Sequence, residues 1–130
     1  VLPEHMGRFI PAGSKLVFQM HYTPCGTPEE DLSYIGIKFA DPAKVKREVA
    51  VQHAGNMFFS IPAHAKNHEL EAWYDFKRDS LLLTVSPHMH WRGKDFKYTL
   101  HFPDGREQVV LFVPQYDFGW QTTYTLKEPI

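Results

Sequence analysis

The sequence predicts an all-β protein built as an antiparallel β-sandwich, and three observations carry this prediction. Aromatic residues make up 15% of the 130 residues, and the chain also holds eight glycines and ten prolines. Short stretches rich in β-branched and aromatic residues alternate with turn sequences. No stretch shows sustained helical spacing of apolar residues. A chain of this length can hold one β domain, or the end of one module and most of another.

The predicted strands follow one another along the chain with little between them except turns. They are 15–22, 33–39, 48–61, 68–76, 80–90, 94–102, 108–114 and 118–126. The segment 102–106 (FPDGR) is a hairpin signal, and 77–80 (KRDS) is a second turn, so the strands around them should be antiparallel. The segment 41–48 combines a proline and mixed charge with little periodicity, which predicts a junction between modules there.

Charge and motif content exclude several classes of function. The chain has fourteen Lys and Arg residues and fifteen Asp and Glu residues. This balance provides no basic field for a nucleic-acid backbone or an anionic membrane. No apolar run approaches the roughly 20 residues that span a bilayer. Metalloprotease, serine-hydrolase, phosphate-loop and Cys-x-x-Cys motifs are absent. Cys25 is the single cysteine and lies in a Pro/Gly turn, and the acidic run 29–31 is interpreted as solvated surface.

The candidate metal ligands are His88 and His90, which follow the apolar strand 81–85. On a strand, side chains at i and i+2 share one face with their Cα atoms roughly 6.5–7 Å apart. Two imidazoles at this spacing can converge on one metal ion while Met89 points the other way. The alternative is a pair of partly exposed histidines bonded to water or backbone.

The other six histidines have weaker patterns. Strand alternation places His21 on one face with Val17 and Gln19, which is also typical of a half-exposed structural histidine. His64 and His68 could chelate a metal ion only on a helix, and the surrounding Pro, Lys and Asn favour a solvated loop. The remaining three carry no metal-binding pattern: His5, His53 and His101.

Several segments resemble the type II copper, ascorbate-dependent monooxygenases, the family of the peptidylglycine α-hydroxylating and dopamine β-monooxygenases, and most closely its bacterial relatives. They are 17–22 (VFQMHY), 59–63 (FSIPA), 86–96 (SPHMHWRGKDF) and 116–124 (YDFGWQTTY). The His-x-His-x-x-Gly-Lys string is the most specific of these. The resemblance implies two jelly-roll-like β-sandwich modules with one copper ion each, across an open cleft.

By this resemblance His88 and His90 match the pair that holds the dioxygen-activating copper, and His21 matches the third histidine of the electron-transfer copper. Residues 1–40 then correspond to the C-terminal part of the first module and 45–130 to most of the second, incomplete at its C-terminus. The implied reaction is C–H hydroxylation of a small molecule or peptide, with dioxygen and ascorbate or another electron donor. Imidazole suits both copper oxidation states, and a thioether favours Cu(I).

The family pattern is only partly present. No adjacent His-His pair occurs, and the family's methionine ligand should fall beyond Ile130. We therefore expect this chain to be part of a larger protein or assembly, in an extracytoplasmic compartment as the resemblance implies. The alternative is a non-catalytic copper-binding or interaction module, in which 73–74 and 118–120 would form an aromatic docking face rather than ordinary core.

Overall fold

The computed structural model describes residues 2–130, and the chain divides into two compact units, Val1–Tyr74 and Asp75–Ile130. The segment 41–48 lies inside the first unit, so the division between units does not coincide with the junction predicted from the sequence. The assignment of 1–40 and 45–130 to two copper-monooxygenase modules stays a prediction.

The first unit is held by one short parallel ladder. Strand β1 (Met6–Gly7) pairs with β2 (Arg47–Glu48), and His5 extends the ladder because its carbonyl accepts from the amide of Lys46 at 2.8 Å. Between these strands lies a 3-10 turn, Pro42–Lys44. Its first turn is capped by the Asp41 carboxylate, which accepts from the Ala43 amide at 3.0 Å. Proline suits the first position because its missing N–H has no partner there.

The strands predicted within the first unit are largely wrong. Apart from Glu48, none of 15–22, 33–39, 48–61 and 68–76 forms a strand among the described residues. The apolar side chains that made these segments look like strands are exposed, Val17 by 89% and Tyr34 by 90%. A segment with strand-like composition forms a strand only when a partner backbone and a buried face are both available. Here none of residues 2–74 is buried.

The loop that holds Cys25 and the acidic run 29–31 is closed by the carboxylate of Asp31. It accepts hydrogen bonds from the Ser33 and Tyr22 hydroxyls, each at 2.8 Å, and these bonds lower the pKa of Asp31. Cys25 in the same loop is exposed, and contact with the Thr27 hydroxyl lowers the pKa of its thiol. The Asp31 carboxylate therefore has a structural role in this loop.

The second unit contains two antiparallel pairs. Strand β3 (Thr84–Val85) pairs with β6 (Tyr124–Thr125), and β4 (Phe96–His101) pairs with β5 (Glu107–Val113). The strands predicted at 94–102 and 108–114 are confirmed as β4 and β5. Of the strands predicted at 80–90 and 118–126, only the two-residue strands β3 and β6 form.

The predicted hairpin turn at 102–106 is confirmed. The Gly105 amide donates to the Phe102 carbonyl at 2.9 Å, and Gly105 has φ +85, which glycine adopts without strain. The Arg106 side chain and amide both donate to the Asp104 carboxylate, which lowers the pKa of that carboxyl. A lowered pKa means that this contact stabilises the turn above the ordinary Asp pKa and is lost as the pH falls through the lowered value.

A bulge interrupts the β4–β5 ladder, and two consecutive residues of β5 are half-buried there. Tyr98 pairs with Leu111 but Thr99 pairs with Val109, so Val110 has no residue opposite it. Both Val110 and Leu111 are half-buried, whereas Val109 is 55% exposed. In this unit Val85 on β3 is the one buried apolar residue of aliphatic type, at 7% exposure.

The fold class predicted from the sequence is confirmed at the level of an all-β chain. Among residues 2–130 the one helical element is the three-residue 3-10 turn, and two of the three strand pairs are antiparallel. Nothing helical in this described range has the length and apolar character to span a bilayer.

Candidate metal centre

Buried and exposed positions alternate along the segment that carries the two histidines. Val85 and Pro87 are buried and Met89 is half-buried, whereas His88 and His90 are exposed. This period of two puts both imidazoles on one face of the segment and the methionine on the other. The predicted facing of these three side chains is therefore confirmed.

The two imidazole rings lie next to one another. Their centres are 5.1 Å apart and their planes meet at 85°. An imidazole nitrogen binds a metal ion at about 2.0 Å, so each ring centre would lie roughly 3 Å from the ion and two rings on one tetrahedral ion would have centres about 5 Å apart. The observed separation fits two ligands of one ion, and imidazole is a donor that copper accepts in both oxidation states.

The backbone between the histidines is held by the hydroxyl of Tyr116. This hydroxyl accepts from the Met89 amide at 2.8 Å and donates to the Met89 carbonyl at 2.9 Å. The Tyr116 amide in turn donates to the Lys94 carbonyl at 2.8 Å. One residue thus ties the segment at its middle and at its end, and both ties are long-range in sequence.

The absence of a side chain at Gly93 allows Tyr116 and Met89 to lie close to its backbone. A Cβ atom at position 93 would lie 2.8 Å from the Tyr116 ring and 2.9 Å from Met89 Cβ. The Gly93 amide donates to the His90 carbonyl at 2.8 Å, which turns the chain directly after the second histidine. The glycine is required here by the lack of space, because its φ is not in the left-handed region.

The start of the segment is fixed by the carbonyl of Ser86. It accepts from the Tyr98 hydroxyl at 2.9 Å, and Thr123 approaches the Ser86 hydroxyl at 3.4 Å. Partial burial raises the pKa of Tyr98, so its hydroxyl keeps its proton and stays a donor over a wide pH range. Strand β4 and the residue directly before β6 therefore contact Ser86, two places before His88.

The His88 ring contacts Gln121. Its Nδ1 atom lies within hydrogen-bond distance of Gln121 Oε1, and Gln121 Nε2 donates to the Phe118 carbonyl at 3.0 Å. Metal-binding histidines usually make such a bond through the nitrogen that does not bind the metal, because it fixes the ring. With Nδ1 occupied in this way, Nε2 of His88 is the nitrogen that can meet a metal ion.

Aromatic side chains border the second histidine. The Phe118 ring lies edge-on to His90, with centres 5.6 Å apart, and 4.9 Å from the Trp91 ring. A groove of about 410 Å³ opens beside them, lined by Trp91, Gly93, Gln115, Tyr116, Asp117 and Phe118. His90 and this groove therefore share one neighbour, the Phe118 ring.

The remaining predicted residues do not join this cluster. Met89 packs towards Gly93 and Tyr116, away from the imidazole face, so it is not a third ligand. His21 is exposed and lies in the first unit, on a segment without strand pairing. Within residues 2–130 no group of three or more His, Cys, Asp or Glu side chains is arranged to hold a metal ion. Of the candidate ligands predicted from the sequence, the structure brings together His88 and His90.

Three supporting residues carried no sequence signal for their roles. Gly93 belongs to the His-x-His-x-x-Gly-Lys string, and Tyr116 and Gln121 belong to the segment 116–124 that shares the family resemblance. Nothing local to His88 points to residues 27 or 33 places later in the chain.

The likeness of this chain to known proteins rests on the short segments that resemble the copper monooxygenases: 17–22, 59–63, 86–96 and 116–124. The resemblance to copper monooxygenases stays a prediction, as do the copper, the substrate and the compartment that it implies. Comparison with protein-family models, with curated proteins and with solved structures finds no match to this chain.

Proposed function

We propose that this chain binds copper through His88 and His90 and is part of a copper-dependent monooxygenase-like protein. The observation that carries the proposal is the pair of adjacent imidazoles, 5.1 Å apart on one exposed face, with the Nδ1 atom of His88 occupied by Gln121. Copper held there would supply one-electron redox chemistry and a place for dioxygen. Ascorbate or another donor would supply the electrons, in an extracytoplasmic compartment.

The chain's own residues would have separate tasks. His88 and His90 would hold the ion, and Tyr116 and Gly93 keep the two rings at their spacing through the Met89 backbone. The groove beside His90 would place a small molecule or peptide against the exposed face, with Trp91 and Phe118 providing apolar contact and Asp117 a charged edge. The reaction class is hydroxylation of a C–H bond, in a fold that we propose to be a jelly-roll-like sandwich.

A second candidate function is a non-catalytic copper-binding or interaction module. Its support is the exposure of aromatic side chains that the alternative places on a docking face: Trp120 is 73% exposed in the second unit, and Trp73 is 65% exposed in the first. Such a module would bind copper without passing through a redox cycle.

The response of bound copper to ascorbate separates the two candidates. The Cu(II)-loaded chain should lose its electron paramagnetic resonance signal when ascorbate is added, and regain it in air with the copper still bound after desalting. The His88→Ala variant should retain no copper through the same cycle. A wild-type signal that persists in ascorbate would contradict the redox function and favour the non-catalytic module.

A further inference from the structure

Gln121 lies against the His88 ring in a defined orientation. Its Nε2 atom donates to the Phe118 carbonyl at 3.0 Å, and a carbonyl can only accept. The amide oxygen is therefore the atom that faces Nδ1 of His88. A neutral imidazole carries one proton, and an acceptor opposite Nδ1 requires that the proton be on Nδ1.

We propose that Gln121 is a positioning residue that holds His88 in the Nδ1-protonated tautomer, so that only Nε2 offers a lone pair to a metal ion. The inference deepens the proposed copper function and rests on it for its purpose. The tautomer itself is a property of the metal-free chain.

The turn that carries Gln121 supports both histidines. The Asp117 carbonyl accepts from the Trp120 amide at 3.0 Å, and the Asp117 carboxylate accepts from the Gly119 amide at 2.7 Å. Within this turn the Phe118 ring borders His90, and the Phe118 carbonyl orients the Gln121 amide that contacts His88. The geometry of one turn thus sets the surroundings of both imidazoles.

The test compares the wild type with Gln121→Leu, which removes the acceptor at similar size, and with Gln108→Leu as the matched control. Gln108 is exposed on β5 and pairs with Leu100. Long-range nitrogen-proton correlation spectra of the metal-free proteins, recorded at about pH 8 where free imidazole is neutral, report which ring nitrogen of His88 carries the proton. Copper affinity is measured separately by competition with a chelator of known affinity.

We expect Nδ1 to be protonated in the wild type and in Gln108→Leu, and the Nε2-protonated tautomer to appear in Gln121→Leu. Copper affinity should fall by about 10- to 100-fold in Gln121→Leu alone, the usual cost of losing an outer-sphere partner. An unchanged His88 tautomer in Gln121→Leu would overturn the inference. Failure of the wild type to bind copper would instead overturn the proposed function, since the tautomer is measured without metal.

Discussion

Replacing Gly93 with alanine is expected to destabilise the second unit by about 1–3 kcal/mol, the usual cost of overpacking a filled space. The new Cβ atom would lie 2.8 Å from the Tyr116 ring and within 3.0 Å of two Met89 atoms. Tyr116 has little freedom to give way, because its hydroxyl and amide are both bonded to the histidine segment. The strain should therefore move His90 and weaken copper binding as well.

Urea unfolding followed by near-ultraviolet circular dichroism measures this loss of stability. Gly55→Ala is the matched control, because a Cβ atom at position 55 would meet nothing within 4 Å and the φ of Gly55 is not in the left-handed region. The control should differ little from the wild type. If Gly93→Ala were as stable as Gly55→Ala, the close packing of Gly93 against Tyr116 and Met89 would be refuted.

Replacing Tyr116 with phenylalanine should release the backbone between the two histidines. The change removes one oxygen atom, and with it both hydrogen bonds to Met89. Leaving a part-buried peptide group without its partners costs about 1–3 kcal/mol, with the lower end expected because water can reach this site. Hydrogen exchange at the Met89 amide should accelerate by about tenfold or more, since about 1.4 kcal/mol corresponds to a factor of ten.

Tyr98→Phe is the matched control for this experiment. It removes the same kind of hydroxyl, which donates to the Ser86 carbonyl and makes no bond to Met89. Exchange at the Met89 amide should stay close to wild type in Tyr98→Phe. Equal rates in the two variants would show that the Tyr116 hydroxyl does not hold the segment.

The sequence predicts correctly those structural features that depend only on residues close together in the chain. The turn at 102–106 forms because Pro, Asp and Gly favour it whatever lies elsewhere, and strands β4 and β5 follow on either side. The facing of His88, Met89 and His90 matches the alternation expected of a strand, although residues 86–90 form no strand pairing in the structure.

Features that depend on distant partners could not be predicted. The segments 15–22 and 33–39 have strand composition, but strands need a paired backbone that composition does not specify, and these segments are unpaired in the structure. The contact of Tyr116 with Met89 spans 27 residues and that of Gln121 with His88 spans 33. Local patterns in a single sequence do not relate positions so far apart. The shared face of His88 and His90 could therefore be predicted, but the contacts of Tyr116 and Gln121 with this segment could not.

Copper content and electron paramagnetic resonance of the wild type, His88→Ala and His90→Ala test the central claim most directly, with His53→Ala as a control because His53 is also exposed and lies in the other unit. The wild type and His53→Ala should bind copper with nitrogen hyperfine structure in the Cu(II) spectrum. Each of the two ligand variants should lose affinity by more than the about 10- to 100-fold expected for an outer-sphere change. Equal copper content in the wild type and His88→Ala would contradict the assignment of this site.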